Sequence, residues 1–129
     1  MNKKNPVVLV VEDEKPLQEA IKIKLELNGF DTVTARSVEQ AINFLRDIKN
    51  VDAIWLDHYL LGKENGLDFV AKLKEKKEWK KIPIFIVSNT ASQEKVKSYM
   101  SLGVEKYYVK ANYRLDDIIK DIKSSLKLK

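Results

Sequence analysis

The chain has 129 residues, 44% of them apolar, which is enough for one domain with a real core. No apolar run approaches the roughly 20 residues that cross a bilayer, and "MNKKNP" lacks the apolar stretch of a signal peptide, so a cytoplasmic location is expected. The absence of cysteine excludes disulfides and thiolate chemistry, while a net charge of +5 raises the question of an anionic partner.

The first apolar run, "PVVLVV" at 6–11, has the length and content of a buried strand. Helical spacing follows from about Lys15 to Asn28, and Gly29 stands where a left-handed helix cap is expected. The second run is "DTVTA" at 31–35. Ser37, with Gln40 three residues on, predicts a capping box ahead of Val38, Ala41, Ile42, Leu45 and Ile48 at helical period.

The third run, "DAIWLD" at 52–57, leads into the turn-rich "GKENG" and then a helix from about Leu67 to Lys77, with Leu67, Val70 and Leu73 as its apolar stripe. The fourth, "PIFIVS" at 83–88, precedes a helix from about Ser92 to Leu102, closed by Gly103. The fifth, "KYYVK" at 106–110, precedes an amphipathic stretch carrying Leu115, Ile118, Ile119, Ile122 and Leu126. Strict strand–helix alternation of this kind predicts an α/β fold, a parallel sheet with helices on both faces. The first, third and fourth strands are nearly continuous apolar runs, as doubly covered strands should be. The lysine-rich "KLKEKKEWKK" at 72–81 is broken by glutamates and holds one aromatic residue, so it reads as a solvated helix face rather than a nucleic-acid patch.

Ligands of open parallel sheets bind beyond the carboxyl ends of the strands. At those ends this chain has Glu12 and Asp13 after the first strand, Asp57 at the third, Ser88 at the fourth and Lys110 at the fifth. Each alone has an ordinary explanation as a cap or a solvated side chain; together they converge on one edge. Like charges about 4 Å apart cost roughly 4 kcal/mol at an effective dielectric of about 20. Lys110 offsets part of that, and a hard cation with oxygen ligands, Mg²⁺ above all, would offset the rest. Such a site suits a phosphoryl group on or near a carboxylate.

These residues resemble the receiver domains of bacterial two-component response regulators. "VLVVEDEKP" is similar to that family's first strand and acidic pair, "AIWLD" to the strand ending in the phosphoacceptor, "IPIFIVSN" to the strand ending in a hydroxyl, and "GVEKYYVK" to the strand ending in lysine. The resemblance covers essentially the whole chain, so residues 1–129 read as a single receiver domain with no output domain in the chain. It implies the flavodoxin-like sheet order 2-1-3-4-5.

It also implies roles. Asp57 would be the phosphoacceptor. Asp13 directly, Glu12 through water, Asp57 and the Tyr59 backbone carbonyl would hold Mg²⁺. Lys110 and Ser88 would take phosphoryl oxygens, and Ser88 and Tyr107 would be the switch pair. The donor would be a phosphohistidine on a sensor histidine kinase or phosphotransfer protein. The surface of the fourth helix, fifth strand and fifth helix would carry the output and would allow a homodimer. The chain would then be half an enzyme, catalysing its own phosphorylation and dephosphorylation.

The family pattern breaks at three places. Ala111 follows Lys110 where proline with a cis bond is usual; a non-proline cis bond costs about 2.5–4 kcal/mol, so a trans bond is expected. Leu61 replaces a frequent proline four residues after the acceptor, and "GKENG" is one residue longer than usual, so that loop is expected to be more mobile or differently shaped. Asn89 stands where a very small residue is preferred, and with Tyr59 it would shield an acyl phosphate from water. The one histidine, His58, lies a residue into the loop, and alternation turns it away from the Asp57 site, so an incidental role is expected.

The alternative within the family is a degenerate receiver that binds a partner without phosphorylation. Two readings outside it have less behind them. A nucleic-acid module would need a recognition motif. A flavodoxin-like cofactor protein would need a Gly/Ser-rich phosphate loop where "EDEKP" stands.

Overall fold

A computed structural model describes residues 5–128 of the chain; the opening "MNKK", read above for a signal peptide, lies outside the described residues. The elements alternate as expected: β1 (Val7–Val11), α1 (Lys15–Leu27), β2 (Asp31–Ala35), α2 (Val38–Asp47), β3 (Ala53–Leu56), α3 (Gly66–Lys74), β4 (Ile84–Ser88), α4 (Gln93–Ser101), β5 (Lys106–Val109) and α5 (Leu115–Ser125), with a 3₁₀ turn at Lys110–Asn112 before α5. All strands are parallel, in the order β2-β1-β3-β4-β5.

Period-two alternation along the strands divides the core in two. Leu9, Val11, Ile54, Leu56, Ile84 and Ile86 face α2, α3 and α4, packing with Leu45, Phe69, Leu73 and Tyr99. Val8, Val10, Trp55, Phe85, Val87 and Tyr108 face α1 and α5, packing with Ile21, Leu25, Ile118 and Ile122. Burying an aliphatic or aromatic side chain of this size contributes about 1.5–3 kcal/mol, so these two layers carry the fold. The helices share the load unequally: α5 buries Ile118, Ile119 and Ile122, whereas α4 buries only Tyr99.

Local chemistry explains most boundaries. Pro16 starts α1, and Gly29 ends it with φ +91°, a conformation open to glycine at little cost. Ser37 Oγ accepts from the Gln40 N–H, as the capping-box spacing predicts. The reciprocal bond shifts by one residue: Gln40 Oε1 accepts from the Arg36 N–H at 2.8 Å. Asn65 and Asp68 form a full capping box, so α3 begins at Gly66. It ends at Lys74, earlier than the expected Lys77, because no residue after Leu73 continues the apolar stripe. Strand β5 ends at Val109, the register partner of Ser88, and Lys110 opens the 3₁₀ turn instead of closing the strand.

No cis peptide bond occurs among the described residues, so Lys110–Ala111 is trans as expected. No helix among them is long and apolar enough to cross a membrane.

Candidate functional site

The register sets the strand ends level. Val11 pairs with Leu56 and with Ala35, Leu56 pairs with Ile86, and Ser88 pairs with Val109. The next residues, Glu12, Asp57 and Lys110, therefore meet at one edge. Glu12, Asp13 and Asp57 each offer a carboxylate oxygen within 4.8 Å of the others. Glu12 and Asp57 are buried, at 1% and 4% exposure. Lys110 reaches between them, its Nζ 3.0 Å from Glu12 Oε1 and 3.3 Å from Asp57 Oδ2.

Burial first, and the Asp57 carboxylate second, push the Glu12 carboxyl up to about 7; the Lys110 bond offsets only part of this. Burial alone would pull the Lys110 ammonium down, but its bond to Glu12 and the charge of Asp57 outweigh that, and the net shift is upward. The cluster is thus short of positive charge. An all-oxygen donor set in that condition fits a hard divalent cation. Ser88 adds a second sign of fit: its hydroxyl is fully buried and has no hydrogen-bond partner among the described residues.

Backbone donors hold the acids in place. The His58 N–H donates to Asp57 Oδ1 at 2.7 Å, and the Glu14 N–H donates to Glu12 Oε2 at 3.1 Å. Two residues that the sequence reading passed over brace the same edge. Gln18 Nε2 donates to the carbonyls of Glu12 and Ala35. The Arg36 guanidinium donates twice to the Asp13 carbonyl, at 2.8 and 3.0 Å. Arg36 directly follows the end of β2, which was the available clue for it, whereas Gln18 lies within α1.

The remaining predicted residues form the rim. Tyr59 is exposed, and Lys95 Nζ donates to its hydroxyl at 3.1 Å and to Thr90 Oγ1 at 3.0 Å while lying 4.7 Å above its ring. Tyr107 is half-buried, and its hydroxyl donates to the Thr90 carbonyl at 2.5 Å. Asn89, the residue before Thr90, is exposed. His58, expected to be incidental, is buried, with its Nδ1 2.6 Å from the Tyr99 hydroxyl.

The phosphate regulon transcriptional regulatory protein PhoB of Escherichia coli K12 is 33% identical over 103 residues, 80% of this chain and 44% of PhoB. The transcriptional regulatory protein CpxR of the same organism is 30% identical over a stretch of the same length. The chain therefore spans less than half the length of these relatives. Among solved structures, the Francisella response regulator 1452 receiver domain is 29% identical with a TM-score of 0.83, covering 95% of this chain and 98% of that one. A receiver protein from Pseudomonas putida is 25% identical with a TM-score of 0.87, covering 95% and 99%. Residues 8–123 match the response regulator receiver domain, and the chain belongs to that family.

Proposed function

We propose that the chain is a phosphoacceptor: Asp57 takes a phosphoryl group from a phosphohistidine on a sensor histidine kinase or phosphotransfer protein. The observation that supports this most is the environment of the Asp57 carboxylate. It is buried at a strand end, with Lys110 on one oxygen, the His58 N–H on the other and an unpartnered Ser88 hydroxyl among the neighbouring strand ends.

In the reaction an Asp57 oxygen attacks phosphorus, the P–N bond to the donor imidazole breaks, and its electron pair returns to that nitrogen. Lys110 then exchanges its carboxylate partners for a phosphoryl oxygen, and Ser88 donates its hydroxyl proton in a hydrogen bond to another. Hydrolysis reverses the state: water attacks phosphorus, the P–O bond to Asp57 breaks, and inorganic phosphate leaves. Glu12, Asp13, Asp57 and the Tyr59 carbonyl would hold Mg²⁺, which when bound neutralises charge on the transferring group.

The Ser88 and Tyr107 pair would report the phosphorylated state on the face formed by α4, β5 and α5. A second copy of the chain or a downstream protein would read that face.

The test is incubation with Mg²⁺ and acetyl phosphate, read by intact mass. Wild type should gain one phosphoryl group and Asp57→Asn none. Labelling retained in Asp57→Asn sinks the assignment. No labelling of wild type would favour a receiver that docks its partner without phosphorylation.

A further inference from the structure

His58 and Tyr99 are 41 positions apart in sequence, yet they meet beneath the acceptor loop. Both are buried, their rings stand edge to face with centroids 5.7 Å apart, and a hydrogen bond of 2.6 Å joins His58 Nδ1 and the Tyr99 hydroxyl. The tyrosine tip is wedged tightly. A Cβ on Gly66 would collide with the Tyr99 hydroxyl oxygen and come within 2.9 Å of the Asp57 carbonyl oxygen. Gly66 is thus small because α4 sends a phenol across the start of α3 to the backbone of residues 57 and 58.

His58 is tied at three points. Its ring bonds to Tyr99 on α4, its carbonyl accepts from the Gly66 N–H at 2.9 Å, and its own N–H donates to Asp57 Oδ1 at 2.7 Å. The orientation of the amide that holds the acceptor carboxylate is therefore set in part by a side chain from α4. Beyond Tyr99 the path continues: its ring lies 5.7 Å from that of Tyr107, whose hydroxyl donates to the Thr90 carbonyl.

We propose that Tyr99, acting through His58, is a positioning residue for the Asp57 carboxylate and ties α4 to the acceptor, so that either end biases the other. Such coupling is reciprocal. If loading Asp57 shifts α4, a partner that grips α4 shifts the affinity of Asp57 for its phosphoryl group by the same factor. The inference rests on the phosphoacceptor reading given above.

The experiment uses the phosphate mimic beryllofluoride with Mg²⁺, titrated into the full chain and followed by backbone amide NMR. Tyr99→Phe keeps the ring and removes the hydroxyl. It should weaken beryllofluoride by about fivefold, the scale of one net hydrogen bond. At saturation the amide shifts of Gln93–Ser101 should fall by about half or more, while those around Ser88 and Lys110 persist. That second readout is taken with the site full, so a change in stability alone does not move it.

Tyr99→Phe leaves His58 Nδ1 buried without its partner and could unfold the protein. The double variant His58→Leu/Tyr99→Phe removes both polar groups, leaves nothing unpaired, and should show the same loss of response in α4. Full α4 shifts with unchanged affinity in either folded variant overturn the inference alone. Failure of wild type to bind beryllofluoride overturns the phosphoacceptor reading and this inference with it.

Discussion

The Leu61 N–H donates to the Arg36 carbonyl at 3.1 Å, and Leu61 forms a parallel bridge with Ser37. The residue that departs from the family's proline thus uses the one group that proline lacks. These contacts stitch the loop to the turn after β2. Through Arg36, whose guanidinium holds the Asp13 carbonyl, the same turn braces the acidic pair.

Leu61→Pro should therefore destabilise the fold by about 1 kcal/mol, the net value of one hydrogen bond. Leu61→Ala keeps the N–H and loses a side chain that is already 46% exposed, so it should stay within about 0.5 kcal/mol of wild type. Urea unfolding of the two variants decides; equal losses would show that the bond contributes nothing.

Glu12 predicts a pH effect. Its carboxyl is raised from 4.5 to about 7, by burial first and by Asp57 second. The native state binds that proton more tightly than the unfolded chain, so this group's contribution to stability falls as pH rises from about 4.5 through about 7. His58 is shifted the other way, by burial and then Lys95, and opposes this slope below its ordinary value of 6.5. The clean measurement is a difference. Glu12→Gln should gain on wild type across that window in Mg²⁺-free buffer, and Mg²⁺ should narrow the gap. A gap that does not change with pH contradicts the prediction.

Lys110→Ala removes the cation that bridges Glu12 and Asp57. Acyl phosphate formation from acetyl phosphate should drop on the order of 10²-fold, the usual scale for losing one charge-stabilising donor. Thermal stability should fall in Mg²⁺-free buffer and recover in part when Mg²⁺ is added, since the ion supplies charge to the same carboxylates. Wild-type phosphorylation kinetics in this variant would remove Lys110 from the mechanism.

The rim sets a fourth expectation. Lys95 pins the exposed Tyr59 ring through its hydroxyl and its face, and also bonds Thr90, the residue after the exposed Asn89. If Tyr59 and Asn89 shield the acyl phosphate, both Asn89→Ala and Lys95→Ala should speed its hydrolysis several-fold. Decay of phosphorylated protein after removal of the donor measures this, and unchanged lifetimes in both variants would refute shielding.

The sheet and the acidic edge were legible in the sequence because both follow from local pattern. Strands covered on two faces must be apolar throughout, and strand ends in a parallel sheet must gather at one edge. The end of α3 was not, because "KEKKEWKK" is made of good helix formers and only the lack of a buried partner stops it. The partner of His58 was not legible either, for a deeper reason. Alternation told which way its ring would not point, but its partner lies on another element, and no local rule reports such a pairing. Gln18 and Arg36 escaped similarly, since their work is to bond carbonyls belonging to distant segments.

One consequence concerns how the molecule loosens. Helix α4 has a single fully buried side chain, Tyr99, whereas α5 has three. Segments with few buried contacts open below the global unfolding limit. Among these helices α4 should surrender its amide protons to solvent first, while α5 holds them almost until the whole sheet lets go. A helix hung from one phenol is the least costly part of this fold to detach, and that phenol is bonded to the residue next to Asp57.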